Sequence, residues 1–209
     1  MAMHLYAESL SQMHSIEAVL QQAYPVLPVL VLNELEDAVP LAQALYAGGA
    51  RVVEVTLRTP VALQAITAMR NALPELIVGV GTVVRAEQLE QAKVAGAQFA
   101  VSPGFSVSLC SKANELDMAY LPAIMTASEA MQAMEQGYNA FKLYPASIAG
   151  SRQLLESFAG PFSELKFCPT GGITLDNLNS FLELSNVLCC GGTWLAPDAL
   201  VKTKQWEQI

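Results

Sequence analysis

Short apolar runs alternate with longer amphipathic stretches along this chain. Eight runs can be counted, at residues 26–32, 52–57, 76–83, 99–102, 119–125, 140–144, 165–168 and 187–190. Their starts are separated by about the length of one strand plus one helix. Within the runs Val, Ile, Leu and Phe follow one another with little strict alternation, as expected for parallel strands buried on both faces. The intervening segments carry helix punctuation. Thr59-Pro60 predicts a cap followed by proline at the first helical position, ahead of Val61, Leu63, Ile66 and Met69 at helical spacing. Gly48-Gly49, Gly96 and Gly137 close helical stretches where a left-handed residue is wanted, and Thr174 to Asn177 opens another helix. A further helix over about residues 9–22 precedes the first run.

Eight strand–helix units without a Ser/Gly-rich linker or a shift in composition predict a single domain over residues 1–209. The expected fold class is α/β, a (β/α)8 TIM barrel with an extra N-terminal helix. A doubly wound sheet is the competing architecture, but it normally uses about five or six strands. After the eighth run only residues 196–209 remain, and Gln205-Trp206-Glu207-Gln208-Ile209 reads as a helix that begins and stops. The final helix is therefore expected to be short or truncated.

Composition narrows the possibilities. With 53% apolar and only 14% charged residues, the chain cannot stay solvated as a disordered segment. Its mean hydropathy of +0.35 raises the question of a membrane. Gly, Pro or a charge interrupts each apolar run before the roughly 18 to 20 residues of a spanning helix. The first nine residues lack a basic stretch ahead of an apolar one, so no secretory signal is expected. A net charge of -8, with 11 dispersed basic residues, argues against nucleic acid as a partner. A cytoplasmic protein is expected. Cys110, Cys168, Cys189 and Cys190 show no CxxC spacing and are expected as reduced core residues, in preference to a strained vicinal Cys189–Cys190 disulfide. The two histidines, His4 and His14, both precede the first run, so zinc chemistry and His-based triads lack their usual parts. Any catalysis falls to carboxylate, amine, hydroxyl or backbone groups.

Polar residues inside the apolar runs identify candidate chemistry. In Val52-Val53-Glu54-Val55-Thr56-Leu57-Arg58, alternation puts Glu54, Thr56 and Arg58 on one face and Val53, Val55 and Leu57 on the other. The apolar set suits the helix layer, which directs a carboxylate and a guanidinium inward, near the C-terminal mouth. Lys142, in Phe141-Lys142-Leu143-Tyr144-Pro145, points inward by the same alternation. Burying such a charge alone costs several kcal/mol, and an uncompensated lysine tends to give up its proton. An internal ion pair that merely holds the strands together is one interpretation. A lysine poised to form a Schiff base with a carbonyl compound, with a carboxylate to move protons, is the other. Pro169-Thr170-Gly171-Gly172 after the seventh run and Gly191-Gly192-Thr193 after the eighth suit a phosphate site built from backbone amides, or else simply tight turns. Gly79-Val80-Gly81-Thr82 and Ser102-Pro103-Gly104 bring small or rigid residues to the same mouth.

Taken in order from Pro25 to Pro197, six segments resemble the 2-keto-3-deoxy-6-phosphogluconate (KDPG) aldolases, which often also act as 4-hydroxy-2-oxoglutarate (KHG) aldolases. They are Glu54-Val55-Thr56-Leu57-Arg58-Thr59, Gly79-Val80-Gly81-Thr82-Val83, Ser102-Pro103-Gly104, Phe141-Lys142-Leu143-Tyr144-Pro145-Ala146, Cys168-Pro169-Thr170-Gly171-Gly172-Ile173 and Gly191-Gly192-Thr193-Trp194-Leu195. The resemblance implies a class I aldolase on a (β/α)8 barrel, a homotrimer needing no metal or other cofactor, with a role in the Entner-Doudoroff pathway of carbohydrate metabolism. Its substrate would be a phosphorylated keto acid, cleaved to pyruvate and glyceraldehyde 3-phosphate. It implies Lys142 as the Schiff-base lysine and Glu54 as general acid/base. Arg58, Thr82 and Pro103 would hold the pyruvyl carboxylate, and Gly171, Gly172 and Thr193 the phosphate. Thr170, Tyr144 and Gly192 would assist nearby. The chain departs from the family pattern at Tyr144 (commonly Phe), at Pro122-Ala123 (frequently Pro-Gly) and at Thr193 (commonly Ser). A sister aldolase for the phosphogalactonate substrate, a barrel sugar-phosphate isomerase or epimerase, and a non-catalytic phosphate-binding protein are the alternatives.

Overall fold

The computed structural model describes residues 15–209, so His4, His14 and the first part of the predicted 9–22 helix lie outside the described residues. The rest of that helix is α1 (Ile16–Gln22), opened by Ser15, whose hydroxyl accepts the Ala18 amide at 3.2 Å. There follow β1 (Val26–Leu30), a 3-10 turn at Leu35–Asp37, α2 (Ala38–Ala47), β2 (Val52–Thr56) and α3 (Ala62–Ala72). Next come β3 (Ile77–Gly81), α4 (Ala86–Ala95), β4 (Phe99–Val101), α5 (Val107–Glu115), β5 (Ala119–Leu121) and β6 (Ala123–Ile124). The chain continues through α6 (Ala127–Glu135), β7 (Ala140–Leu143), α7 (Ser151–Phe158), β8 (Lys166–Pro169) and α8 (Leu175–Leu182). It finishes with β9 (Cys190–Gly192), α9 (Asp198–Lys202) and a 3-10 turn at Trp206–Gln208.

The architecture is α/β with parallel strands. One sheet runs β5-β4-β3-β2-β1-β9 and a second β6-β7-β8. The break between β5 and β6 falls at Pro122, which has no amide hydrogen to give to a ladder. Its carbonyl still accepts the Lys142 amide at 2.9 Å, so the 119–125 run is divided rather than lost. Beyond β8, single bridges join Phe167 to Val187 and Thr170 to Gly191. Between them Leu188, Cys189 and Cys190 stand opposite only Cys168 and Pro169. That surplus residue interrupts the ladder in the manner of a bulge. The eighth run is consequently found as a strand displaced to Cys190–Gly192.

Alternation sorts the side chains as the sequence pattern requires. Val53, Val55, Phe141, Leu143 and Phe167 pack on the helix side with Leu41, Ile66, Met69 and Leu155. Leu27, Val52, Phe99, Val101, Leu121, Ala140, Cys168 and Cys189 form a separate cluster, joined by Val19 and Leu20 of α1. Glu54 and Lys142 each sit between two residues of the first cluster, and so belong to the face of the second.

Three local expectations are corrected. Residues 57–61 form turns and α3 begins at Ala62 rather than at Pro60, with the Ala62 amide on the Thr59 carbonyl at 3.4 Å. The Thr59 hydroxyl, expected as a cap, is buried without a hydrogen-bond partner among the described residues. Gly49, Gly96 and Gly137 adopt positive φ, whereas Gly48 remains right-handed at φ -72°. The five-residue α9 is short, and within residues 205–209 only a 3-10 turn at Trp206–Gln208 forms in place of the start of an α-helix.

Candidate active site

β2 and β7 are not neighbours in either sheet, yet their central polar residues meet. Lys142 Nζ lies 3.5 Å from Glu54 Oε1, with the two side chains 8% and 1% exposed. Either charge alone at this depth would cost several kcal/mol, so each is the other's reason for being there. The separation exceeds the roughly 2.7–2.9 Å of a tight charge-assisted bond. The two groups are adjacent without being locked together. The Tyr144 ring centre is 5.4 Å from Nζ, a cation–π distance. Glu54 has room only because residue 81 is glycine, since a Cβ there would collide with Oε1.

This pair lies in a cavity of about 190 Å³ that also takes in Val29, Arg58 and Tyr144. Thr170, Gly171, Gly172 and Ile173 from the loop after β8 supply another wall, and Gly191 and Thr193 at the end of β9 complete it. Gly171 and Gly172 have φ values of 89° and 79°, which L side chains rarely adopt. Their amides donate to no carbonyl among the described residues, leaving two donors at the cavity wall. The loop is anchored through the Asn177 side chain, whose Nδ2 donates to the Gly172 carbonyl at 3.0 Å and whose Oδ1 accepts the Thr174 amide at 2.9 Å. A larger cavity, about 800 Å³, opens at the opposite ends of the strands between Ser15, Asn114, Asp117 and Tyr138. No basic side chain lines it among the described residues, so the smaller one is the chemical candidate.

Of the residues singled out from sequence, the fold gathers Glu54, Arg58, Lys142, Tyr144, Thr170, Gly171, Gly172 and Thr193 around one space. Arg58 stands exposed at its rim. Thr82 and Pro103 lie beyond the wall. Thr82 is half-buried after β3 with a φ of 61°, an unusual conformation for a β-branched residue, and Pro103 is exposed after β4. Ser102 braces that second loop, its hydroxyl donating to the Gly104 carbonyl and bonded to the Tyr120 hydroxyl, both at 2.6 Å. The space beside Gly192 is filled by the Trp194 ring, and Gly191 takes the place on the wall. Val29 and Ile173 were missed by sequence reasoning. Alternation from Leu27 would have indicated Val29, but nothing marked Ile173 apart from its position after the two glycines.

A buried lysine–carboxylate pair within two parallel strands, beside glycine loops with free amides, defines an α/β enzyme site for carbonyl chemistry. A family model described as KDPG and KHG aldolase matches residues 16–209. The KHG/KDPG aldolase of Escherichia coli (strain K12) is 48% identical over 185 residues, 88% of this chain and 87% of that protein. Two solved structures are similar throughout. KDPG aldolase from Legionella pneumophila, with pyruvate captured at low pH as a covalent carbinolamine intermediate, has a TM-score of 0.89 at 44% identity, covering 92% of this chain and 93% of that one. The Zymomonas mobilis ZM4 enzyme with 3-phosphoglycerate has a TM-score of 0.85 at 42% identity, covering 94% and 95%. The chain belongs to the KDPG and KHG aldolase family.

Proposed function

We propose that this protein is a class I aldolase that cleaves KDPG to pyruvate and glyceraldehyde 3-phosphate, and that also accepts 4-hydroxy-2-oxoglutarate, giving pyruvate and glyoxylate. The observation that carries the proposal is the Lys142–Glu54 pair, 3.5 Å apart and buried in a cavity edged by glycine amides. Glu54 accepts the proton of the Lys142 ammonium, and the free amine attacks the C2 ketone. Glu54 returns protons to the carbinolamine hydroxyl, water leaves, and an iminium forms. Glu54 then takes the C4 hydroxyl proton, the C3–C4 bond breaks, and its electrons pass into the iminium. Protonation of the resulting enamine and hydrolysis release pyruvate and regenerate Lys142.

Arg58 at the rim holds the planar carboxylate, a role its fork of donors suits, with Thr82 and Pro103 on the adjoining loops. Gly171, Gly172 and Thr193 cradle the phosphate, Gly191 or Gly192 completes that turn, and Thr170 and Tyr144 border the reacting carbon. The chemistry asks for no metal or cofactor, because the iminium itself is the electron sink.

We further infer one closed (β/α)8 barrel and one domain over residues 1–209. The Pro122 link between β5 and β6, and the bridges from β8 to the β9 segment, support joining the two sheets into a ring. A cytoplasmic setting is supported by four free thiols. The homotrimer follows the family resemblance.

Borohydride added with pyruvate is expected to fix a covalent adduct on Lys142, and pyruvate release from KDPG, coupled to lactate dehydrogenase, is expected to persist in EDTA. Turnover without a trappable adduct, or abolished by EDTA, overturns the proposal.

A further inference from the structure

Beneath the floor of the cavity lie two thiols that the aldolase chemistry does not use. Cys168 is the register partner of Lys142 on the neighbouring strand and faces the same side. Its Sγ is 3.7 Å from the Thr170 hydroxyl, and Thr170 lines the cavity, so Cys168 sits one side chain below the reacting space. Cys189 Sγ is 3.6 Å from Cys168 Sγ, and both residues are buried. The surplus residue between β8 and β9 brings this about by turning Cys189 into the inner cluster and Cys190 to the helix side. A bond of about 2.05 Å requires the sulfurs to close by less than two ångströms.

We propose that Cys168 and Cys189 form an oxidation-sensitive dithiol, and that its closure to a disulfide by a hydroperoxide reversibly lowers the aldolase activity of the adjoining site. The activity part rests on the function proposed above, and the disulfide itself does not. Cys168 sulfur attacks the peroxide, the O–O bond breaks, Cys168 becomes a sulfenic acid, and the departing oxygen leaves as the alcohol, or as water from hydrogen peroxide. Cys189 sulfur then attacks the sulfenyl sulfur, and hydroxide departs, taking up the Cys189 proton as water. Two thiols are oxidised, one peroxide is reduced, and a sulfur–sulfur bond is formed. The bond donated by Cys189 holds the Cys168 thiol below its ordinary range against the opposing effect of burial, while Cys189 is pushed up by the same bond and by burial. Cys168, next to the cavity-lining Thr170 and with Cys189 behind it, is the attacking sulfur, and Cys189 is the resolving one. Closure pulls on β8 beside Lys142 and on the turn that carries Gly191. A reacting group displaced by an ångström loses about 100-fold in rate.

The test treats the whole chain with graded hydrogen peroxide, blocks remaining thiols, and digests it without reduction. Cleavage after Glu183 parts Cys168 from Cys189 and Cys190, so linked fragments stay joined until dithiothreitol is added. A Cys190→Ser variant that still links identifies Cys189 as the partner. The expected result is a 168–189 link, a turnover loss that follows its yield and is restored by dithiothreitol, and Cys189→Ala and Cys189→Ser variants that keep basal activity but lose the reversible inhibition. No link in the wild-type chain, or a link with turnover and pyruvate trapping unchanged, overturns the proposal. A reduced protein that links but never traps pyruvate overturns the aldolase proposal instead, and the link alone then decides the dithiol.

Discussion

Glu54 illustrates how much a single position asks of its neighbours. Its carboxylate is buried against Lys142 from β7 and lies over residue 81 of β3, where any side chain larger than hydrogen would meet Oε1. Glu54→Gln keeps the volume and removes the proton acceptor. Turnover is expected to fall by about 100- to 10,000-fold, the contribution of a positioned acid/base. Pyruvate binding, measured by calorimetry, is expected to survive, and a Glu54→Gln enzyme of normal turnover would remove this residue from the proton relay. Gly81→Ala leaves every reacting group in the sequence but displaces the carboxylate, and about a 100-fold loss of turnover is expected from such a shift. If circular dichroism and melting are near normal while turnover falls, misplacement is established; an unchanged rate refutes it. Glu54 and Lys142 were legible in the sequence, because a charge between apolar neighbours in a short run has nowhere to point but inward. Gly81 was not legible as their support. Its relation to Glu54 depends on the β2–β3 register, which places Glu54 beside Gly79 and Thr56 beside Gly81, and no local pattern encodes that offset.

At the scale of elements, strands were easier to place than the turns that carry function. Seven of the eight predicted runs coincide with a strand or, at 119–125, a divided one, because buried parallel strands need little beyond continuous apolar character. The eighth moved because a surplus residue and a proline upset its ladder with β8, features that hydrophobicity does not register. Thr59-Pro60 misled for a similar reason, as a cap pattern can be satisfied by a turn that delays the helix. The loop after β8 is the element with the sharpest test. Gly172 has φ 79° and its missing Cβ leaves space for Ser147. Gly172→Ala is expected to cost about 1 kcal/mol or more of stability through the left-handed backbone. It should also raise KM for KDPG while leaving KM for unphosphorylated 4-hydroxy-2-oxoglutarate nearly unchanged. An equal rise for both substrates would move the phosphate away from this loop.

For the whole molecule, the strands serve two clusters at once, since residues on one face pack against the helices and those on the other form the cluster beside the site. Composition predicted the extent of that burial, but the grouping of the strands into two sheets is a long-range property with no residue of its own. Burial on the outer side also sets the response to alkali. Cys110 on α5 is pushed up to about 11 by burial, and burial likewise raises Tyr120 and Tyr138, whose rings meet edge to face at 5.7 Å. The Tyr138 hydroxyl donates to Asn114 Oδ1 at 3.0 Å, and Tyr120 bonds to Ser102, so these groups are fixed to the elements around them. A thiol raised in the folded state contributes stability in full below its ordinary value of 9.0 and loses it as pH climbs toward about 11, because the unfolded chain releases its proton first. Cys190, also raised by burial, acts in the same sense, and the lowered Cys168 acts against it. The comparison that isolates Cys110 is therefore wild type against Cys110→Ala in urea midpoints from pH 8 to pH 11. The wild-type midpoint is expected to fall more steeply between pH 9 and 11, whereas parallel profiles would show that Cys110 ionises as readily folded as unfolded. The Cys110→Ala variant, compared at equal folded fraction, should show the same pH profile of turnover as wild type, since the Cys110 side chain packs among the helix-side residues, across the strands from Lys142.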